Sequence, residues 1–539
     1  MDSEGQSAWS WEGSASGETV HSVTAYVEKH SDRIRSKYLC FIHDLGETVV
    51  NGKRLVEHLE IKPRFSFWWM SLITEKSMYK SPCIVNALKL LALEEIIGDN
   101  RIKKIYLYEV NDRHVKEGIQ SICRSLDVSL TFDSQKTSQS KTGWSMSRIY
   151  HSLPNLLQGM ISLGHIPFRS WSLRGASTKF WFSGDNVIFF MSYLVHLDKK
   201  ACSSGRFASG QWGILPDAIR EEGFQCNWLH HYISSQSLPD KKAAVKYVNR
   251  LNSDSYNQGC HSILGAFISI PMAYRAIINW LKIFWRTYKL SKIELAFNPA
   301  DSIVCLWPLL KDDWYKSFCG SKAMENALWI ELFDTVLGDV PTQRIGLYLY
   351  EGQGWEAAFI SAWRKHGHGE LIAVAHSTVR YWDLRYFSDS RTIIDGRPLA
   401  LPRPEYVAVN GSLARQTLID SGFPVEQILE VEALRYLNLA TLASRRKSAF
   451  YTGVKSKRRL LVLGDIMASN THGVMRTLED LPRGVKNEFE IVVKSHPANP
   501  VDKANYPLVD FKIITDPLSE ILDEFDFVYG ANPSSANLD

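Results

Sequence analysis

Residues 344–387 read RIGLYLYEGQGWEAAFISAWRKHGHGELIAVAHSTVRYWDLRYF, and this stretch decides the fold. Ile345 to Tyr350 is a short apolar run rich in β-branched and aromatic residues. Glu351 to Gly354 is a polar glycine turn, Trp355 to Lys365 is spaced as a helix, and Leu371 to Ala375 is a second apolar run. The order predicts strand, turn, helix and strand, the repeating unit of a parallel sheet. Both strands end in residues able to do chemistry, Glu351 and Gln353 after the first and His376 after the second. In open α/β sheets the carboxyl ends of the strands face the ligand crevice, which puts both turns on the functional edge.

Working outward, Lys103 to Glu109, a helix over Asp112 to Leu126 and Val128 to Phe132 read as a first α/β unit, and Asn186 to Val195 as a buried strand. Ile263 to Trp285 is long enough to span a bilayer. It carries Pro271, Arg275, Asn279 and Lys282, however, so a buried helix or helix pair is expected, with a membrane-surface contact as the intermediate alternative. Downstream, the proline-rich Arg397 to Tyr406 marks the expected domain boundary. Beyond it, Tyr406 to Asn410, Leu460 to Leu463, Glu490 to Val493, Phe511 to Ile514 and Asp526 to Tyr529 read as strands of a new sheet.

The expected organisation is an α/β chain in three parts. Residues 1–20 are a disordered Ser/Gly-rich N-terminus, and residues 21–396 a Rossmann-like domain with helical insertions over about 134–290. Residues 397–539 form a second Rossmann-like domain, expected to be incomplete at its C-terminus because a helix begins where the chain ends.

At 539 residues the chain exceeds what one core supports. With 45% hydrophobic and 22% charged residues it has the composition of a folded protein rather than a disordered one. A net charge of +4 gives no case for general nucleic-acid binding. The eight cysteines form no CxxC pair or zinc-like grouping, which suits a reducing cytoplasm, and the acidic N-terminus lacks the pattern of a signal peptide. The adjacent His230 and His231 do not share a helical face and suit a surface or packing role. His366 and His368 around Gly367 suit a helix C-cap better than a metal site, and Asp312-Asp313 lacks flanking ligands, so no metal is expected.

Three strand ends in the second half suit a phosphate-bearing donor. Small residues around Ser534 and Ser535 let backbone N–H groups approach a phosphate, Lys494 and His496, fixed by Pro497, add positive or hydrogen-bonding groups, and Gly464-Asp465 is a third polar turn. A helix N-cap at Ser534-Ser535 and a surface turn at His496-Pro497 are the plain alternatives. In the first half, Glu351 is the carboxylate best placed to act as a general base. A helix-start carboxylate facing the macrodipole is the alternative role, and His376 the alternative base. Arg380, Asp383 and Arg385 suit either an anion-binding cluster or a structural ion-pair network, and with Gln353 they complete the acceptor side of a cleft.

Two Rossmann-like domains in one chain are the composition of GT-B glycosyltransferases. EGQGWE, AWRKHGHG, AHSTVRYWDLRYF, the Pro-Arg-Pro connector, VEALRYL (Val431 to Leu437) and LVLGDI resemble bacterial surface carbohydrate biosynthesis proteins of the O-antigen and capsule type, from about Trp68 onward. The His-Pro and Ser-Ser elements are similar to those of bacterial sialyl- and Kdo-type transferases. That resemblance implies an inverting transferase on a GT-B frame, using a CMP-activated acidic sugar without metal or other cofactor, on a glycan or lipid-linked acceptor. It implies His496 and Ser534-Ser535 at the CMP phosphate and Glu351 as the base, with a cytoplasmic protein peripheral to the inner membrane. The chain departs from the pattern in having a single acid, preceded by Tyr350, where those enzymes often have two. A CDP-alditol phosphotransferase of the teichoic-acid type and a non-catalytic assembly partner are the rival readings.

Overall fold

The computed structural model describes residues 8–11, 20–107, 110, 112–132, 153–154, 157–162, 172–178, 180–235, 237–253, 259–290, 292–434, 437, 457–465, 467–496, 499–516 and 518–531. They divide into two units. The first runs to Val431 apart from two short stretches, and the second holds Glu432–Asp539 together with Gln211–Gly213 and His376–Arg380.

The first unit is organised by β1 (Val187–Leu194), β2 (Gln225–Tyr232), β3 (Gly259–Ile263), β4 (Ile345–Leu349), β5 (Glu370–Val374), β6 (Tyr406–Val409) and β7 (Ile428–Glu430). These make one sheet in the order β3-β2-β1-β4-β5-β6-β7, parallel throughout. β1, with the sequence VIFFMSYL, is buried at every position, as a central parallel strand covered on both faces must be. In register, Leu347 of β4 lies between Phe190 of β1 and Ile372 of β5.

Helices packed in this unit include α1 (Ser31–Glu47), α2 (Ile270–Tyr288), α3 (Ser321–Asp339) and α4 (Gly354–Lys365). α4 lies against β4 through Trp363, which is fully buried and donates its indole N–H to the Gly369 carbonyl at 2.7 Å. Gly346 is the strand residue beneath it. A Cβ there would sit 2.6 Å from the Trp363 ring, so the close approach of helix to sheet requires glycine.

The strand order repeats the doubly wound plan, in which the chain winds outward in one direction from β1 and in the other from β4. The topological switch point lies between β1 and β4, where ligand crevices open in such sheets. The second unit repeats the plan at smaller scale. β8 (Arg458–Leu463), β9 (Phe489–Lys494), β10 (Phe511–Ile514) and β11 (Phe527–Gly530) form a parallel sheet in the order β10-β9-β8-β11. Val462 packs with Val474, Met475 and Leu478 of α5 (Ala468–Asp480), while Leu461 and Leu463 pack with Ile521, Leu522 and Phe525 on the opposite face.

The α/β class and the two Rossmann-like units agree with the sequence. Four details differ. Tyr406–Val409 pairs with β5 rather than opening a new sheet, so the boundary falls after Val431 and not at the proline-rich Arg397 to Tyr406. The proline run is a connection between strands of one sheet, and proline signals interruption without telling a loop from a linker. The region expected to be helical insertions contributes β1, β2 and β3, the half of the sheet on the far side of the switch point. Lys104–Leu107 and Ser129–Phe132 do pair in parallel, but as a two-stranded sheet of their own. Near the N-terminus, expected to be disordered, Ala8–Ser10 pairs with Val20–Ser22, and residues 1–7 and 12–19 lie outside the described residues.

Candidate active site at the switch point of the first sheet

β4 ends at Leu349, and the backbone N–H of Tyr350 still bonds the Val374 carbonyl at 2.9 Å. The chain then turns through Glu351, Gly352 and Gln353 into α4. Gly352 has φ +63°, and a Cβ there would come within 2.4 Å of the Arg385 carbonyl oxygen, so conformation and space both select glycine. The turn is held from behind by Glu356, whose Oε1 accepts the N–H groups of Glu351 at 3.0 Å and Gln353 at 2.9 Å in a capping arrangement. Glu356 is 4% exposed, and burial pushes its carboxyl well above the ordinary value, with the two N–H donors pulling the other way.

Glu351 thereby projects at the carboxyl end of β4, next to the carboxyl end of β1. Its Oε2 accepts from the Tyr193 hydroxyl at 3.4 Å and from the Gln353 side-chain amide. Gln353 Oε1 accepts from Lys80 at 3.3 Å, and Lys80 pairs with buried Glu75 at 2.5 Å. A polar chain Glu75–Lys80–Gln353–Glu351–Tyr193 thus crosses the switch point within the first unit. Burial raises the Glu351 carboxyl, opposed by Arg385, Gln353, Tyr193 and Lys80 in that order. The result is a carboxylate that holds a proton at higher pH than a free glutamate yet faces donors that keep it ionisable, the balance a general base needs. Tyr193 is fixed by stacking on His231 at 5.1 Å, and burial, then Glu351, pushes its phenol well up.

Arg385 and Asp383 form a bidentate pair, with both N···O distances 2.7 Å, and burial competes with that pairing to set a guanidinium held firmly charged. His376 follows β5 and is buried, and it falls with Arg380 in the stretch grouped with the second unit. His230 and His231 are buried on β2, with His230 Nε2 3.0 Å from His261 Nδ1 on β3, so packing rather than a surface place is their role. His366 caps α4 ahead of Gly367 at φ +71° and bonds Asp334 at 2.9 Å.

In the second unit, the ends of β8 and β9 adjoin. Gly464 N–H bonds the Lys494 carbonyl at 2.9 Å, and a Cβ on Gly464 would sit 2.9 Å from the His496 nitrogen. Asp465 is 4% exposed and its Oδ1 accepts the Met467 N–H at 2.8 Å and the Asn470 amide at 3.2 Å, ordering the start of α5. Lys494 reaches the carbonyls of Thr515, at 3.4 Å, and Asp516. Burial pulls the His496 imidazole below its ordinary value while Asp465 pulls it up. Gly464, Asp465, Lys494 and His496 therefore share one strand edge, whereas Pro497, Ser534 and Ser535 lie outside the described residues.

Sequence reading missed Tyr193, Lys80, Glu75 and Glu356. Tyr193 could have been found, since it is the last but one residue of a strand plainly written as VIFFMSYL. Lys80 lies in a turn and Glu75 ends a one-turn helix, Leu72–Glu75, some 270 residues from Gln353, and nothing local marks them.

Neither a family model nor a curated protein matches the chain. Among solved structures it is similar to UDP-GlcNAc 2-epimerase from Methanocaldococcus jannaschii, at 13% identity and TM-score 0.30, covering 64% of this chain and 77% of that one. It is also similar to UDP-N-acetylglucosamine 2-epimerase from Rickettsia bellii, at 13% and 0.26, over 65% and 70% of the two chains. A third is alpha,alpha-trehalose 6-phosphate synthase from Burkholderia multivorans, at 10% and 0.28, over 66% and 74%. Likenesses of this size assign neither an activity nor a substrate to this chain.

Proposed function

We propose that the chain is an inverting GT-B glycosyltransferase of cell-surface polysaccharide synthesis that takes a CMP-activated acidic sugar. The observation that carries the reading is Glu351 at the switch point, raised by burial and tied to Tyr193 and Gln353. In the reaction, Glu351 accepts the proton of an acceptor hydroxyl as that oxygen bonds the anomeric carbon from the face opposite the leaving group. The anomeric C–O bond to the phosphate breaks, and its electron pair leaves on CMP. The Gly464-Asp465 and Lys494-to-His496 edge of the second unit is the donor side of this reading, with a neutral His496 hydrogen-bonding the phosphate rather than opposing its charge.

The acceptor is a glycan or a lipid-linked glycan, with α2 as the surface that meets the membrane. No helix among the described residues is long and apolar enough to cross a membrane. α2 nonetheless exposes Tyr274 (63%), Trp285 (56%) and Tyr288 (75%) beside Lys282 and Lys289, and it has no acidic residue, a pattern complementary to an anionic lipid surface. The testing experiment incubates the full chain with a panel of nucleotide sugars and follows CMP release. Release of CMP from a CMP-acidic sugar supports the reading. Turnover of a CDP-alditol instead assigns the phosphotransferase rival, and no turnover or nucleotide-dependent thermal shift with any donor assigns the non-catalytic one.

A further inference from the structure

Glu75, Tyr348 and Arg403 come from distant parts of the chain and line one cavity of about 100 Å³ inside the first unit. The rings of Tyr348, Tyr350 and Tyr386 form part of its wall. Each of the first three leaves a buried polar atom with no hydrogen-bond partner among the described residues: Glu75 Oε2, Tyr348 Oη and Arg403 Nη1. Glu75 is 2% exposed and Tyr348 is fully buried. Three orphaned atoms on one cavity are costly in a folded core unless something polar fills it. Since a water needs roughly 10–15 Å³ of such space, the volume suits about seven waters or one hydroxylated six-membered ring.

The charges around the cavity do not balance. Glu75 is answered by Lys80 at 2.5 Å, Arg385 by Asp383 at 2.7 Å and Asp389 by Arg391 at 2.9 Å. Burial lowers His43, which bonds Thr392 at 2.8 Å, and it raises Glu356, so both favour their neutral forms. Two cations remain. Lys76, 6% exposed and held at φ +53°, gives its ammonium to the Thr74 carbonyl at 2.5 Å, and burial draws it down to about 8 against the pull of Glu75. Arg403 has no ion pair among the described residues, only the Phe423 ring at 5.4 Å, and burial, then Arg364, lowers it. A partly buried guanidinium without a counter-charge is stabilised by a ligand that brings one.

We propose that this cavity is a binding subsite for a monosaccharide carrying one anionic group, with the ring against the tyrosines, the anion toward Arg403 and Lys76, and hydroxyls on Glu75 Oε2 and Tyr348 Oη. Glu75 is joined to Glu351 through Lys80 and Gln353, so an occupied cavity is coupled to the candidate base. The choice of sugar rests on the transferase reading. The vacant polar atoms and the unmatched cations do not.

The test is calorimetric titration of the full chain with glucuronate and glucose 6-phosphate, against glucose, acetate and inorganic phosphate. One of the two anionic sugars should bind about tenfold or more tightly than glucose or the simple anions, and whichever wins assigns the anion as carboxylate or phosphate. Arg403→Gln should weaken that binding about tenfold and Tyr348→Phe severalfold. Binding without turnover of any donor keeps the subsite and removes the transferase reading, and turnover without binding does the reverse. No binding at ~10 mM, glucose or phosphate alone binding equally well, or folded Arg403→Gln and Tyr348→Phe variants with unchanged affinity would overturn the proposal.

Discussion

Acidification should unfold the first unit, and the structure sets the scale. His231 and His261 are 7% and 2% exposed, and burial holds both imidazoles down to about 3 against an ordinary value of 6.5. A folded-state value below the unfolded one means that the unfolded chain binds the proton first. The stability these groups allow is therefore full above pH 6.5 and is lost as pH falls from 6.5 toward 3. At pH 5 the gap is 1.5 units for each histidine, or about 2 kcal/mol apiece at 1.36 kcal/mol per unit. Together they cost about 4 kcal/mol, a large part of the 5–15 kcal/mol typical of a domain. His231→Phe isolates one share, because the His231 ring already packs among Trp329, Phe333 and Trp355 and its Nε2 has no hydrogen-bond partner. Urea unfolding followed by tryptophan fluorescence reads this unit, since every tryptophan of the sequence except Trp212 belongs to it. Between pH 7.5 and 5 the variant should lose about 2 kcal/mol less than the parent chain. Equal losses in both would refute the reasoning.

Other outcomes follow from single contacts. Gly352→Ala places a side chain at φ +63° and a Cβ 2.4 Å from the Arg385 carbonyl oxygen, so chemical denaturation should show a loss of about 2–4 kcal/mol and turnover should fall with it. Tyr193→Phe removes a donor that lowers the Glu351 carboxyl, so the acid limb of the pH–rate profile should move to higher pH with the fold intact by circular dichroism. The paired change Trp285→Ser and Tyr288→Ser should abolish co-sedimentation with phosphatidylglycerol vesicles, which salt should also weaken. Binding that persists, or that is equal on phosphatidylcholine, would contradict the α2 assignment.

The parts of the fold carried by local pattern were legible. VIFFMSYL, IGLYL, LIAV and LLVL are apolar runs too short for helices and bounded by polar turns, and each is a parallel strand at or near the position read. What the pattern could not carry was partnership. YVAV reads equally well as the first strand of a new sheet or the sixth of an old one, and only pairing with Glu370–Val374 decides between them. The same holds for the site. Glu351 and Gln353 stand out because strand-end chemistry is local. Their partners Lys80 and Tyr193 are brought in by tertiary packing from 273 and 160 residues away. His230 and His231 show the limit of a motif without burial, since adjacent histidines suit a surface as well as packing until strand β2 is seen to be covered on both faces.

The most direct test of the central claim is the pH–rate profile of Glu351→Gln beside that of the parent chain, with the CMP-sugar that supports turnover. If Glu351 is the base, the amide variant should lose about 10²–10⁴-fold in kcat, keep its KM for the donor, and lose the acid limb that the raised carboxyl imposes. A variant that turns over at the parent rate with the same acid limb would show that another group removes the proton.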